Sequence, residues 1–485
     1  MVTKFVSCCM RQARRLSFFV GCSASVLIAL QALASGASSA TTQSLTGETQ
    51  SDAGNPATRG VTASTPPDKG DQVNVKTYGA VGDGVTNDTA AFNAALAALA
   101  TAGGGRCLVP KGTYLISATT NPAITSHVSS NVHLLGEGRE VSILKIAGIP
   151  AGNFLFCSGD NWTVEGLTID MQDYFIQRAG FAAIVATGNN WRIRNCAITK
   201  MGRVGINIKA GANGYVQGNH ITKTVASPVL NSAILGVVDA EKHLPEKMHI
   251  IDNVCVNSLI YFNGKNSIIA RNRVSGSRIG TNICTGVFSN NVSVISNICS
   301  DGRGRDENKC VVSGFELWAP NSVIANNTSY DNDGAGITMG GNNCIVIGNR
   351  CSDNARLTGG VGGSGIVARA HAKFPNAASG SVFIGNSCFD TRPQSAMTQA
   401  YGYNEVGNGL KNIIHFGNDY GRNKIGPAHS NSLLGHRNIS KIQANDAGGL
   451  QISPAMKDKL KALAHNDDIE MSDFARRALR QFLDR

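Results

Sequence analysis

The sequence has few charged and few aromatic residues for its length. Of 485 residues, 16% are charged and 6% are aromatic, whereas Gly occurs 55 times. This composition fits a turn-rich body of stacked short elements. No Cys-x-x-Cys pair occurs, so the sequence offers no motif for a structural metal cluster. The runs KAGANG and GGVGGSG lack the spacing of a nucleotide-binding loop and are interpreted as turns.

A short pattern recurs between Val216 and Tyr420: a mostly apolar residue, two variable residues, Asn, one variable residue and another mostly apolar residue. The spacer between copies changes length while the pattern keeps its register, which indicates stacked structural units with loops between them. The last copy is the weakest, because His415 stands at its leading apolar place. The repeat asparagines are Asn219, Asn253, Asn272, Asn297, Asn326, Asn349, Asn386 and Asn418.

Each repeat contains a short run with period two, such as SVIAN, CIVIGN or SVFIGN. These runs are typical of short strands that end in turns, and no helical pattern separates them. The repeats are also too short and too rich in Gly, Asn, Ser, Val and Ile for helical units. The sequence therefore predicts an all-β parallel β-helix solenoid, which grows by adding coils and can remain a single domain.

The N-terminal segment predicts export. Lys4, Arg11, Arg14 and Arg15 precede the apolar run LSFFVGCSASVLIALQALA, and small residues that suit cleavage follow. Residues 1–40 are interpreted as a signal peptide, with an uncleaved membrane anchor as the alternative. Residues 41–70 lack apolar periodicity and are interpreted as a disordered linker. We expect a secreted, periplasmic or cell-surface protein without an integral membrane domain.

The cysteines are expected to be free and buried. Cys255, Cys299, Cys351 and Cys388 each follow a repeat asparagine by two residues, a place held elsewhere by Ile221, Val274 or Thr328. A position shared by Cys, Ile, Val and Thr is typical of a core, where Cys acts as a small hydrophobic residue. Stacked strands about 4.8 Å apart with parallel Cβ directions also give poor disulfide geometry.

Residues 73–117 carry a motif of a known family. The chain has GAVGDGVTNDTAAFNAAL, later followed by GGGRCLVPKGTYLI, and predicts a strand, a helix with Phe92, Leu96 and Leu99 on one face, and two more strands. This block resembles the N-terminal segment of the pectate lyase superfamily of right-handed β-helix proteins, which is related to polygalacturonases and rhamnogalacturonases. The resemblance implies a right-handed parallel β-helix over 71–445 with an N-terminal capping helix. It is less specific for chemistry, because the family contains lyases, hydrolases, epimerases and non-enzymatic adhesins.

Residues 446–485 are predicted to form a separate α-helical module. One helix would have Met456, Leu460 and Leu463 on one face, and a second Phe474, Ala478 and Phe482. A short strand followed by two helices resembles a ribbon-helix-helix module, a fold often used by DNA-binding dimers. Cations and anions are nearly balanced here, whereas a phosphate-binding surface needs clustered cations. We therefore expect no nucleic-acid partner, and predict a capping or association element that permits a homo-oligomer.

Several repeats contain a Gly-apolar strand whose outward residues would line a groove for a linear polymer. In this interpretation the substrate is bound by Asn207, Lys209, Trp318 and Asp333, and Trp318 stacks on a sugar ring. Glu316 is the outward carboxyl of the strand GFELW and would act as an acid, a base or a sugar ligand. The alternatives are that Trp318 packs under the preceding loop and that Glu316 pairs with an arginine. The predicted catalytic residues are Glu316, Asp306, Arg303, Arg305, Arg369 and His371.

Two kinds of chemistry compete at this site. A glycosidase needs two carboxyl groups about 5 to 5.5 Å apart for retention or about 6.5 to 9.5 Å apart for inversion. A loop acid such as Asp306 or Asp333 would have to join Glu316. A lyase or epimerase needs a base and a cation that neutralises a uronate carboxylate. The formal net charge of +11 fits an anionic polymer. No cofactor is expected. Calcium is the alternative at the charged loop 300–310, but the spacing of its acids does not match the EF-hand pattern of a dedicated site. The sequence thus favours eliminative cleavage of an acidic polysaccharide, with hydrolysis and non-enzymatic glycan binding as alternatives.

Overall fold

The computed structural model describes residue 68 and residues 70–117, 119–148, 151–174, 181–224, 232–236, 243–278, 280–305, 311–357, 363–370, 377–429, 454–465 and 473–483. The predicted signal peptide lies outside this part of the chain, as does the predicted linker apart from residues 68 and 70. None of the helices in the described segments is long and apolar enough to span a bilayer.

The described strands form three long parallel sheets, here called sheets A, B and C, and the chain visits them in that order in each coil. The paired strands of each sheet join their counterparts in the next coil in parallel. The fold is a right-handed parallel β-helix, as the repeats and the family resemblance predicted.

The strand bounds follow the sheets. Sheet A contains β1 (Gln72–Asn74), β3 (Gly105–Val109), β6 (Val132–Gly136), β9 (Thr163–Glu165), β12 (Arg192–Arg194), β15 (Tyr215–Gln217), β18 (His249–Ile251), β21 (Lys265–Ala270), β24 (Asn290–Ile295), β27 (Val323–Ala325), β30 (Ile345–Ile347), β33 (Val382–Ile384) and β36 (Ile414–Phe416). Sheet B contains β2 (Asp83–Asn87), β4 (Gly112–Ser117), β7 (Ser142–Ala147), β10 (Thr168–Asp170), β13 (Ala197–Thr199), β16 (His220–Thr222), β19 (Val254–Val256), β22 (Arg273–Ser275), β25 (Ile298–Ser300), β28 (Thr328–Tyr330), β31 (Arg350–Ser352) and β34 (Ser387–Phe389). Sheet C contains β5 (Ile124–Val128), β8 (Leu155–Cys157), β11 (Ala182–Ala186), β14 (Val204–Ile208), β17 (Ser232–Gly236), β20 (Leu259–Phe262), β23 (Ile283–Thr285), β26 (Phe315–Leu317), β29 (Ile337–Met339), β32 (Ser364–Arg369), β35 (Tyr401–Val406) and β37 (Gly426–His429).

The middle residue of each short strand in sheet B points into the core. Successive coils place Cys299, Ser329 and Cys351 in register, and all three are fully buried. The position of the inward residue was therefore predicted correctly for the cysteines but wrongly for Thr328, which is half-buried beside the inward Ser329. The Ser329 hydroxyl donates to the Gly336 carbonyl, so the polar group is satisfied inside the core.

A buried asparagine ladder runs along the corner between sheets A and B. Asn253 Nδ2 donates to Asn272 Oδ1 at 2.9 Å, and the same oxygen accepts from the Asn253 backbone N–H at 3.0 Å. The ladder comprises Asn219, Asn253, Asn272, Asn297, Asn327, Asn349, Asn386 and Asn418. The prediction of Asn326 was wrong by one residue. Asn326 has a φ of 54°, in the left-handed turn position just before the ladder.

A second amide ladder lies at the corner between sheets B and C, and the sequence pattern did not predict it. Asn332 Nδ2 donates to Asn354 Oδ1 at 2.9 Å, and Gln399 Nε2 donates to Asn423 Oδ1 at 2.8 Å. Asn282 donates to Asn332 at 3.1 Å at the other end. The two ladders satisfy buried backbone groups where the strands end, which keeps the corners in register from coil to coil.

Helix α1 (Thr89–Thr101) follows β1, the 3₁₀ helix Val75–Tyr78 and β2, and stands where later coils have a strand of sheet C. Phe92, Leu96 and Leu99 are fully buried in the main core, as predicted. The Asp88 carboxylate accepts from the backbone N–H groups of Val81 and Gly82 and so holds the preceding turn. A second 3₁₀ helix spans Gln394–Ala396.

The C-terminal helices α2 (Pro454–His465) and α3 (Asp473–Leu483) pack on the outer face of sheet A. Leu460 and Leu479 are fully buried against Ile347, Ile384 and neighbouring residues of that sheet. Gly385 has a φ of 56°, and a Cβ there would approach Ala475 Cα to 3.0 Å. The apolar faces predicted for association are thus used within the chain. The ribbon-helix-helix interpretation also needs a strand before α2, which lies outside the described residues, and it stays a prediction.

The described cysteines are all free and buried, as predicted. They are Cys107, Cys157, Cys196, Cys255, Cys284, Cys299, Cys344, Cys351 and Cys388. Burial raises the thiol pKa of Cys107 and of Cys255 to about 12. These groups act as small apolar side chains rather than as nucleophiles or ligands.

Candidate functional site

The outward residues of sheet C form a continuous row, here called the central row. Adjacent coils place Asn207 beside Leu235, and Glu316 beside Thr338. This is the ladder that the alternating strands predicted. The central row consists of Phe156, Val185, Asn207, Leu235, Tyr261, Cys284, Glu316, Thr338, Val367, Asn404 and His429.

The central row is covered along most of its length, which the sequence did not predict. Leu235, Tyr261 and Cys284 belong to an apolar cluster that also includes Trp318 and Ala377. Asn207 is 5% exposed, and Glu316 is half-buried. A polymer would therefore contact this face only at its partly exposed positions, because the face does not form an open groove.

Glu316 is held by two neutral hydrogen-bond donors. The Trp318 indole N–H donates to Oε1 at 3.1 Å, and the Thr281 hydroxyl donates to Oε2 at 3.2 Å. The alternative that Glu316 pairs with an arginine finds no support among the described residues. Neutral donors fix the orientation of the carboxylate and leave lone pairs that can accept a hydrogen bond from a sugar hydroxyl.

Trp318 points outward, as predicted, but it is only 6% exposed. Its ring lies against Gly340, where an added Cβ would come within 2.2 Å of the indole. The ring is thus packed on the neighbouring coil and orients Glu316. The prediction that it stacks on a sugar as an exposed platform does not fit this burial.

Arg303 is the centre of an ion-pair cluster at the corner between sheets B and C. Its Nη2 lies 2.7 Å from Asp301 Oδ1 and 2.6 Å from Asp331 Oδ2. Asp333 Oδ1 is 3.9 Å from Nη1, and Asp333 Oδ2 accepts from the Gly304 backbone N–H at 2.6 Å. Partial burial alone would raise the pKa of Asp331, but hydrogen bonds from Arg303 and Arg356 lower it overall. Arg303 and Asp333 are therefore already committed to the structure of the corner.

The other predicted residues are spread over sheet C. Lys209 is exposed just after β14, and Arg369 ends β32 half-buried. Arg305 is exposed and donates to the Leu357 carbonyl at 3.4 Å. Asp306 and His371 lie outside the described residues. The structure thus joins Glu316 with Trp318 and Arg303 with Asp333, but it does not gather all the predicted residues into one cluster.

Three buried amide atoms on the outer face of sheet C lack a hydrogen-bond partner among the described residues. They are Asn207 Oδ1, Asn263 Oδ1 and Asn404 Nδ2. Asn263 lies in the outward position after β20, and Asn404 belongs to the central row. A buried amide without a partner is unfavourable unless a ligand or water satisfies it. Asn263 and Asn404 were not predicted, because an isolated Asn carries no signal of its own in a repeat rich in Asn.

The sequence also did not predict Lys223 as a site residue. It follows β16, at the corner that leads to sheet C, and it is 5% exposed. Burial lowers the pKa of its amine to about 8, while the charge of Asp173 acts in the opposite direction. Lys200 holds the equivalent place in the preceding coil but is exposed and pairs with Asp170 at 3.0 Å. The sequence shows two similar lysines, and only the packing distinguishes them.

No group of three or more His, Cys, Asp or Glu side chains suited to a metal ion occurs in the described segments.

Comparison with known proteins agrees with this architecture. Mannuronan C5-epimerase AlgE1 of Azotobacter vinelandii is 26% identical over 274 residues, which are 55% of this chain and 16% of that protein. The pre-neck appendage protein of Bacillus phage B103 is 31% identical over 155 residues, or 31% of this chain and 16% of that protein. This chain therefore spans under a quarter of the length of these relatives.

Among solved structures, the A-module of A. vinelandii mannuronan C5-epimerase AlgE6 matches with a TM-score of 0.57 at 18% identity, covering 75% of this chain and 97% of that module. At this identity the match supports the fold alone. The profile of the rhamnogalacturonase A/epimerase, pectate lyase-like family matches residues 72–361. It includes the GDG-containing block from which the resemblance was inferred, and the chain therefore belongs to this family.

Proposed function

We propose that this protein acts on an acidic, uronate-containing polysaccharide at the outer face of sheet C by removing the proton at C5 of a uronate residue. The relatives named mannuronan C5-epimerases support a polyuronate as the substrate class. The formal net charge is +11, or +7 without the four cations of residues 1–40, and favours encounter with an anionic polymer. Such polymers lie outside the cell, which agrees with the export predicted from residues 1–40.

Proton removal at C5 has two outcomes. The electron pair of the C5–H bond delocalises into the adjacent carboxylate, and a nearby cation or donor stabilises that charge. Return of a proton to the opposite face inverts C5, which is epimerisation. Departure of the oxygen at C4 instead forms a C4–C5 double bond and cleaves the chain, which is elimination. Both need a base whose pKa is close to the working pH.

The observation that carries this proposal is Lys223. Its buried amine, with a pKa of about 8, is partly uncharged near neutral pH and can accept a proton. Its Nζ makes no hydrogen bond or ion pair within the described part of the chain. A lysine that served only to pair with an acid would keep a high pKa, as its surroundings would favour the charged form.

Glu316 lies three coils from Lys223, a separation of about 14 Å along the solenoid. This is too far for both to act on one sugar. In this proposal Glu316 accepts a hydrogen bond from a hydroxyl of a sugar further along the polymer. The amide of Asn263 binds a sugar between Lys223 and Glu316, and the amide of Asn207 binds one on the other side of Lys223. Lys209 and Arg369 supply positive charge on the same face.

Hydrolysis has less support. It needs two carboxyl groups at one glycosidic bond. Glu316 is the one carboxylate at an outward position in the described strands of sheet C, since Glu405 points inward in register with Ala368. A hydrolase would therefore depend on Asp306 or on Asp333, which already binds Gly304.

The test is incubation of the full chain with polymannuronate, polygalacturonate and a neutral glucan in D2O. Deuterium at C5 with unchanged chain length indicates epimerisation, and new ultraviolet absorbance from an unsaturated uronate indicates elimination. New reducing ends without either signal indicate hydrolysis. Binding without any of these changes indicates a non-enzymatic glycan-binding protein. Hydrolysis and binding without reaction would each contradict the proposal.

A further inference from the structure

The outer face of sheet A is divided into two unlike halves. From β21 onward its outward residues are mainly apolar, and from β27 onward α2 and α3 cover them. From β3 to β18 the outward residues are mainly polar, with Leu108, Leu135 and Ile251 as exceptions, and no described segment forms a cluster over them. The first outward row of this polar half consists of Arg106, His133, Thr163, Arg192, Tyr215 and His249.

A cleft of about 450 Å³ lies on this polar half. Its lining residues include Arg106, His133, Thr163, Glu165, Arg192 and Arg194. Strands β3, β6, β9 and β12 place these side chains in register across four coils. The cleft therefore runs along the solenoid axis, on a sheet other than the one that carries Glu316.

The cleft carries positive charge that the protein does not neutralise. Glu165 is paired with Arg194 at 2.8 Å. Arg106 and Arg192 are exposed and make no ion pair or side-chain hydrogen bond within the described segments. Their field reaches His133, whose pKa is lowered first by burial and then by these two guanidinium groups.

The row continues into a stack of rings. Tyr215 and His249 lie 4.3 Å apart between centroids with an angle of 5° between their planes, and the Arg192 guanidinium is 5.7 Å from the Tyr215 ring. Because the two rings stack on each other, the face that each turns to the other is closed to a nucleic-acid base. The Tyr215 hydroxyl has no hydrogen-bond partner in the described part of the molecule and remains available to a ligand.

We propose that the polar half of sheet A is a second binding site, which binds one chain of a carboxylated polysaccharide. The forked guanidinium groups of Arg106 and Arg192 would bind carboxylates. Thr163, Tyr215 and His249 would contact sugar hydroxyls. Two unpaired cations among neutral hydrogen-bonding groups suit a polymer with both carboxylates and hydroxyls better than the dense charge of a nucleic acid. With two sites on different sheets, the protein would stay attached to its polymer while one site is empty.

The experiment is calorimetric titration of the full chain with short uronate oligomers at low salt. The test variant is Arg106→Gln/Arg192→Gln. The matched control is Arg273→Gln/Lys411→Gln, which removes two exposed cations elsewhere. We expect wild type and control to bind two oligomers per chain. In the test variant one class of site should weaken by about tenfold or more. Equal binding by both variants overturns the proposal, as does equally tight binding of a neutral glucan or of single-stranded DNA.

A second measurement is made on the wild-type chain, and a cleft variant serves only to assign the signal. The pKa of His133, followed by NMR and assigned with His133→Gln, should rise when uronate oligomers bind, because their carboxylates cancel the field of the two arginines. An unmoved His133 pKa overturns the proposal. This site is tested by binding alone, so loss of turnover in a Lys223 variant would bear on the proposed function and not on the cleft.

Discussion

Asn297 Nδ2 donates a hydrogen bond of 3.0 Å to Asn327 Oδ1, and the backbone N–H of Asn297 donates to the same oxygen at 3.0 Å. Asn327 in turn donates to the Val294 carbonyl at 2.8 Å and to Asn349 Oδ1 at 3.0 Å. One buried side chain therefore satisfies groups on two other coils. The ladder stabilises the corner between sheets A and B by linking successive coils from Asn219 to Asn418.

Replacing Asn327 by Ala should strongly destabilise the fold. The change leaves a buried backbone N–H and a buried carbonyl without partners, and we expect a loss of about 3 kcal/mol or more in the free energy of unfolding. The neighbouring change Asn326→Gly is the control. Its φ of 54° suits Gly, so stability should stay within about 1 kcal/mol of wild type. Chemical unfolding measures both, and equal losses would contradict the assignment of the ladder to Asn327.

Replacing Lys223 by Arg should abolish proton abstraction while keeping the charge. An arginine does not lose its proton near neutral pH, so we expect turnover to fall by about 100-fold or more. Lys200→Arg is the matched control, because this residue holds the equivalent place one coil earlier and is exposed. It should retain wild-type turnover. Similar losses in both variants, or none in Lys223→Arg, would exclude Lys223 as the base.

The pH profile should report the same amine. Below a pKa of about 8 Lys223 is mostly protonated and cannot act as a base, so turnover should rise as pH increases through that value. Initial rates of deuterium incorporation on polyuronate between pH 6 and 10 give the profile. A rate that falls over this range would point to a different base.

Replacing Leu479 by Ala should loosen the packing of α2 and α3 on sheet A. Leu479 is fully buried, and a cavity of this kind reduces stability by about 3 kcal/mol. Hydrogen exchange should accelerate in both helices, and binding of a dye specific for apolar surfaces should rise. Gln481→Ala, at an exposed place on α3, should change stability by less than about 0.5 kcal/mol. A change in oligomeric state without faster exchange would favour the predicted role in association instead.

The buried thiols should resist alkylation in the native protein and react fully after unfolding. They also make stability depend on pH. Burial raises the Cys107 thiol pKa from 9.0 to about 12, so above pH 9 the unfolded chain loses protons that the folded chain retains. The free energy of unfolding should therefore decline as pH rises from 9 toward 12. Urea unfolding at a series of pH values measures this, and rapid native-state labelling of Cys107 would contradict the burial.

The sequence predicted the solenoid well because its signal is local and repeated. Strand alternation and corner asparagines recur from coil to coil between Val216 and Tyr420, so each copy supports the others. The exact residue at a doubled asparagine was not predictable. Asn326 and Asn327 both fit the pattern, and only the backbone conformation, with a positive φ at Asn326, separates them.

The candidate site was less predictable because it depends on contacts between coils. Alternation correctly placed Glu316 and Trp318 on the outer face of sheet C. It carried no information that Trp318 would pack on Gly340, or that Lys223 would be buried while Lys200 is exposed. Burial of an outward residue is decided by segments distant in sequence, which a local pattern does not describe.

The position of α2 on sheet A has a consequence for biosynthesis. Lys459 donates to the Asn321 carbonyl across 138 residues of sequence, so the ribosome makes β27 and β30 well before the helices that shield them. Until then the nascent solenoid presents Ile345, Ile347 and Ile384 to the solvent. Such surface promotes aggregation of incomplete chains, and a chaperone that holds the growing polypeptide would be needed most during this interval.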